Sequence, residues 1–191
     1  NLYASQVVGP SKGEFILDRF DTETGERNRV TVNLDAIRRE IKSGVNNPEL
    51  NSLSVDYDGK LLTGSNESSR IYKIDVERCF QTGSCTYGSE VTTEPMAFPT
   101  RPRTTSAGDF FAGPDGSLYG LGTTDQSFGR RADLYRWEPN VPGDPSKGRQ
   151  SEPTTLGKVR IGGTDAGVWG GGRIEDQFLL AKSKALSLIH I

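Results

Sequence analysis

Two cysteines, Cys79 and Cys85, bracket the stretch CFQTGSC around a Gly-Ser turn. A redox-active pair more often has only two residues between its thiols, and a zinc site needs two further ligands that the chain lacks. The spacing therefore points to a local structural disulfide, with two free thiols as the alternative. Closing so short a loop stabilises a fold by about 2 kcal/mol in the chain-entropy model. A disulfide would also imply an oxidising compartment, hence an extracellular or cell-surface location.

Other residues invite chemistry and mostly decline it. DYDG (Asp56 to Gly59) resembles the start of a calcium loop, but no third ligand follows in register, so a hairpin turn is the better reading. VWGGGR (Val168 to Arg173) lacks the lysine of a phosphate-binding loop and reads as a turn or a junction. Paired carboxylates stand at Asp56 and Asp58, Asp75 and Glu77, and Glu175 and Asp176, where surface solvation explains them. Asn66 to Ser68 spells a glycosylation sequon, expected to be coincidental beside a turn. Trp137 with Arg136, and Trp169 with Arg173, are candidate ligand-facing pairs, against the alternative that both tryptophans lie in the core.

The only histidine, His190, lies in a C-terminal stretch set aside below. Without it, Ser-His-Asp and Cys-His catalysis lose their usual base and histidine metal sites disappear. No catalytic, metal or cofactor-binding residue is assigned, and no cofactor is expected. With 23 basic against 25 acidic residues and no block of like charge, nothing advertises a nucleic-acid partner. No apolar run is long enough for membrane insertion.

The elements that must position these residues are short strands. LSVDYDGKLLTGS (Leu53 to Ser65) and FFAGPDGSLYGLG (Phe110 to Gly122) align on Asp58-Gly59 and Asp115-Gly116. Each Asp-Gly lies between β-prone runs, which is a strong hairpin signal. A third strand follows each copy, at Ser69 to Glu77 and Ala132 to Asn140. There Ile71, Tyr72, Lys73, Ile74 and Asp75 match Leu134, Tyr135, Arg136, Trp137 and Glu138. Both faces of such a strand can be apolar when it is packed between neighbouring sheets, with Lys73 or Arg136 laying its stem along the surface. A decayed copy occupies the N-terminus, with a strand and its turn at Glu14 to Glu26 and a strand at Arg29 to Asp35, and a partial one begins at Gly167.

A repeat of roughly fifty to sixty residues with about four strands is near the period of a β-propeller blade. The unit of apolar strand, Asp-Gly, Leu-Tyr strand and Tyr-basic-apolar-acidic strand resembles blades of bacterial NHL/YVTN-like propellers, including repeats of secreted or wall-attached surface proteins. The resemblance implies an all-β, partial propeller of three to four blades, each a four-stranded antiparallel meander. One incomplete domain over residues 1–184 would hold blades at 1–50, 51–107, 108–165 and 166–184. A short inserted helix is expected near residues 34–43, where Leu34, Ile37 and Ile41 share a face. The Pro-rich connections Glu94 to Gly108 and Glu138 to Pro153 read as disordered or plain crossovers.

Residues 185–191 are set aside as a non-native tail, because LSLIHI (Leu186 to Ile191) matches the translation of a transposase sequencing adapter. An ordinary apolar terminal strand is the alternative. On the first view the chain is a fragment. The resemblance then implies a non-catalytic extracellular or cell-surface module that binds or displays a protein or glycan ligand, with the remaining blades of the parent chain as its other partner. The competing readings are a piece of a propeller enzyme (lyase, hydrolase or cofactor-dependent dehydrogenase) with catalytic residues in other blades, and a β-sandwich interaction domain.

Overall fold

The computed structural model describes residues 2–8, 14–33, 50, 52–124, 131–161, 164–165, 170–174, 177–182 and 185–189. The chain is all-β, built mainly of antiparallel sheets in chain order. In the first sheet β1 (Leu2–Val8), β2 (Glu14–Phe20) and β3 (Arg27–Asn33) form a meander. The second holds β4 (Ser54–Val55), β5 (Leu61–Ser65) and β6 (Ser68–Ile74). Helix α1 (Val76–Thr82) and β7 (Cys85–Thr86) then intervene before β8 (Val91–Ala97) completes that sheet.

The third sheet is laid out alike. Strands β9 (Thr105–Ala112), β10 (Leu118–Thr123) and β11 (Asp133–Trp137) lead to an inserted hairpin, β12 (Pro139–Val141) and β13 (Asp144–Arg149), and then to β14 (Thr154–Lys158). A two-stranded pair, β15 (Arg160–Ile161) and β16 (Thr164–Asp165), precedes the last sheet of β17 (Gly170–Ile174), β18 (Gln177–Lys182) and β19 (Ala185–Ile189).

Burial explains the order. Neighbouring residues of one strand contribute to different cores, as a period of two requires. Leu61, Tyr72 and Ile74 of the second sheet pack with Phe15, Leu17 and Val30 of the first. Leu62 and Ile71 turn the other way and meet Phe110, Leu118, Tyr135 and Trp137 of the third. The far face of the third sheet buries Phe111, Leu121 and Leu134 in a further cluster. Sheets two and three are thus apolar on both sides, as expected for strands sandwiched between neighbours.

The two Asp-Gly hairpins superpose in chemistry. Asp56 N donates to Lys60 O at 2.8 Å, and Gly113 N to Ser117 O at 2.7 Å. Gly59 and Gly116 take φ values of 77° and 79°, a left-handed conformation that glycine adopts without steric cost. A different constraint holds at Gly120 on β10. A Cβ there would lie 2.7 Å from the Phe110 ring and 3.0 Å from Trp137, so only a bare backbone lets those aromatics close over the strand.

Several expectations change. The third strand of the second repeat stops at Ile74, because Asp75 caps α1 and its side chain accepts from Arg78 N at 3.2 Å. The helix anticipated at 34–43 lies outside the described residues, whereas α1 was not anticipated. The first sheet is not a pure antiparallel meander, since β7 pairs parallel with β3 through Val32↔Cys85. The two Pro-rich connections carry β8, the start of β9, and the β12–β13 hairpin. Pro95 sits on the outer strand of its sheet, and Pro139 and Pro145 in a two-stranded ribbon, positions where proline's missing N–H is tolerated. Gly170 to Gly172 belong to a strand, not a turn, paired with β18 and running beside β9. Residues 185–189, set aside as a tail, form β19 against β18, which suits their run of apolar residues. Among the described residues no helix is long and apolar enough to cross a membrane.

Candidate functional site

The disulfide links Cys79 on α1 to Cys85 on β7, with both residues buried in the core shared by the first two sheets. Gly83, at φ 68°, ends the helix and turns the chain so that the second sulfur meets the first. Because β7 lies on the edge of the first sheet, the bond fastens an excursion of sheet two onto sheet one. Reduction is expected to lower unfolding free energy by about 2 kcal/mol, the loop-closure value. Urea titration of the chain with and without reductant, alongside Cys79→Ser/Cys85→Ser, checks it; equal midpoints would make the bond energetically silent.

At the Asp-Gly turns a second feature repeats. Lys73 Nζ lies 3.1 Å from Asp58 Oδ2, and Arg136 Nη2 lies 2.7 Å from the equivalent Asp115 Oδ2. In each repeat the basic residue of the third strand therefore reaches back to the turn carboxylate. Arg136 also lies 3.2 Å from Glu138 and over the Tyr119 ring at 6.0 Å. It is partly exposed and already paired twice.

The second sheet adds what the third lacks. Where the third repeat has Gly113, the second has Asp56, whose carboxylate is 0 % exposed. Its Oδ1 accepts from Arg149 Nη2 at 2.8 Å, and its Oδ2 faces Lys73 Nζ at 2.8 Å. Arg149, itself only 2 % exposed, comes from β13 and donates through Nε to Gly116 O at 2.9 Å. One guanidinium thus joins the Asp-Gly turn of sheet three to that of sheet two. Burial raises the Asp56 pKa, but Arg149 and Lys73 outweigh it and hold the carboxyl below its ordinary value. Lys73 responds in kind: burial lowers its pKa, and the Asp56 and Asp58 carboxylates push it above its ordinary value.

Tyr57 lies on this network. Its ring centroid is 5.3 Å from Lys73 Nζ and 5.4 Å from Arg149 Cζ, yet the residue remains 46 % exposed. Glu94 on β8 lies within electrostatic reach of the same groups, and burial raises its pKa. Beside the turn opens a cleft of about 470 Å³ between sheets one and two, lined by Tyr3, Val55, Asp58, Lys60 and Glu77 among others. Its charges are paired as well: Lys60 with Asp75 at 3.3 Å and Arg19 with Glu77 at 3.3 Å.

The residues singled out from sequence separate accordingly. Trp137 is not ligand-facing: it is fully buried, rings with Phe98 and Phe110 surround it, and its Nε1 donates to Ala97 O at 3.2 Å. Trp169 lies outside the described residues, as do Glu175, Asp176 and His190; Arg173 falls on β17. Asp56 and Asp58 serve as counter-ions to Lys73 and Arg149, and among the described residues no cluster of three or more His, Cys, Asp or Glu could hold a metal ion. Asn66 occupies the β5–β6 turn. Tyr57 and Arg149 escaped notice, although the carboxylate of Asp56 standing against Gly113 in the repeat was a signal that one copy carried something extra.

Acid should loosen this arrangement. Glu90, which accepts from Ser89 Oγ at 2.7 Å and from Thr86 N at 3.1 Å, has its pKa lowered from 4.5 to about 2. Asp56 and Asp115 are also lowered. Depressed carboxylates contribute stability that is complete above their unfolded values and is lost as pH falls through the folded ones. Urea midpoints are expected to drop between pH 4.5 and 2, and Glu90→Gln to flatten that slope. A slope unchanged in the variant would refute the assignment.

No family model and no curated protein matches the chain. Among solved structures, the extracellular domain of a one-component system from B. thetaiotaomicron is similar at 14 % identity and a TM-score of 0.42, over 92 % of this chain and 20 % of that one. The chain thus spans about a fifth of that protein's length. What its own residues establish is an all-β chain of mainly antiparallel sheets with a buried disulfide and ion pairs at two Asp-Gly turns.

Proposed function

We propose that the chain is part of a β-propeller of three to four described blades that acts, outside the cell or at its surface, as a non-catalytic binding module for a protein or glycan. Successive meanders buried on both faces support the propeller reading, and a buried disulfide supports an oxidising location. The observation that carries the binding role is Tyr57, a large exposed aromatic held against the buried Lys73–Asp56–Arg149 network. Such a mount is rigid and presents an aromatic contact surface. The remaining blades of the parent chain would flank it.

The test is direct. Immobilised chain is exposed to arrays of glycans and extracellular proteins, and retained ligand is recovered and weighed by mass spectrometry. Saturable retention of unaltered ligand is expected. Recovery of cleaved or modified ligand would overturn the non-catalytic reading, and the absence of retention would overturn the module.

A further inference from the structure

Sheet one turns a charged face outward. Phe15 and Leu17 of β2 and Val30 and Val32 of β3 enter the core shared with sheet two. Alternation sends Asp18, Arg27 and Arg29 to the opposite face, with Asp18 directly across from Arg29. The Asp18 side chain is only 9 % exposed and accepts four hydrogen bonds. Arg27 Nε and Arg29 Nε reach its Oδ1 at 3.0 and 2.8 Å, and their Nη2 atoms reach its Oδ2 at 2.8 and 3.1 Å. Two fixed guanidiniums thus share one saturated carboxylate, and one positive charge is left over.

Among the described residues neither arginine has a further ion pair. Asp21 accepts from Glu23 N and Thr24 N within its own turn, and Glu23 and Glu26 pair with neither arginine. Glu14 starts β2 four residues from Asp18, about 13 Å away at the rise of a strand and beyond a Debye length. Each guanidinium has five N–H groups and spends two on Asp18. The rest, on Nη1 and the free side of Nη2, keep no acceptor on the protein, and the side chains are 48 % and 46 % exposed. Bidentate anchoring holds both forks in place before a ligand arrives, and the Phe20 ring, 5.7 Å from Arg27 Cζ, adds to it.

We propose that Arg27 and Arg29 form a receptor for a second carboxylate, carried by an acidic ligand. A planar carboxylate matches the free N–H edge of a guanidinium, and its single charge balances the surplus. The pair shares no residue with the Tyr57 network, so this site goes beyond the binding-module reading and stands or falls separately.

The test is a titration of the full, isotope-labelled chain, followed through the Nε–H resonances of its arginines at constant ionic strength. The probes are acetate, glucuronate and a short glutamyl peptide, with chloride and glucose as controls. Saturable shifts at Arg27 and Arg29 are expected with all three carboxylates, and the tighter of the sugar and peptide probes identifies the source. Arg27→Gln and Arg29→Gln should each weaken binding about fivefold or more. Arg29→Lys, which keeps the charge without the fork, should weaken it too, whereas Arg101→Gln, at an exposed arginine outside the pair, should not. Thermal melts confirm that each variant is folded, since both paired side chains are nearly half exposed. Equal shifts with chloride, the same shifts at Arg101, or binding undiminished in both glutamine variants would overturn the receptor. Full affinity in Arg29→Lys would overturn it as well, because charge alone would then suffice.

Discussion

Replacing Arg149 by methionine is expected to destabilise the folded chain by about 3–5 kcal/mol, the cost of leaving a buried charge without its partner. Methionine keeps much of the stem's volume, so packing is nearly preserved and the loss is that of the guanidinium's polar contacts. Asp56 would keep Lys73, but its Oδ1 would face an apolar group, and Gly116 O would lose its donor. The double variant Asp56→Asn/Arg149→Met should recover part of the loss, because it removes the stranded charge as well as its partner. Denaturant melts of the two single variants and the double one read the coupling. Additive effects, or a change below about 1 kcal/mol in Arg149→Met, would show that the contact is as weak as a surface ion pair.

Trp137→Ala should cost a similar amount, about 3–5 kcal/mol, for an unrelated reason. The indole fills the junction of sheets two and three, with Phe98 at 5.1 Å and Phe110 at 6.1 Å between ring centroids. Gly120 leaves room for it, since a Cβ there would lie 3.0 Å from the indole. The effect should appear in stability alone, with any ligand retention per folded molecule unchanged. A variant that melted normally but lost ligand would return Trp137 to the binding surface and contradict its burial.

The hairpins at Asp58-Gly59 and Asp115-Gly116 were legible because everything they need is local: a glycine for positive φ, a carboxylate to accept the turn's N–H, and flanking apolar alternation. The matching Tyr72 and Tyr135 strands were legible for the same reason. Helix α1 was not, although Asp75 before it and Gly83 after it are ordinary caps, because seven residues carry too little periodicity to stand out from a strand. Pro95 and Pro145 disguised β8 and β13 as connections, since proline signals turns unless the strand is known to be at an edge. Arg149 could not be found locally at all. Its partner lies 93 residues away, and its role exists only once two turns from different repeats are brought together. Trp137 illustrates the converse: beside an arginine it suggests a surface, and only the aromatic contacts of β11 reveal a core.

The two excursions from the meanders point the same way along the chain. Helix α1 and β7 leave sheet two and fasten onto β3 of sheet one. The β12–β13 hairpin leaves sheet three and sends Arg149 to Asp56 of sheet two. The first and second sheets are therefore each locked by the one synthesised after it. On a ribosome, a finished meander would wait with its last edge or its buried carboxylate unmet until several dozen further residues had emerged, so assembly proceeds as a ratchet whose every tooth is set by its successor.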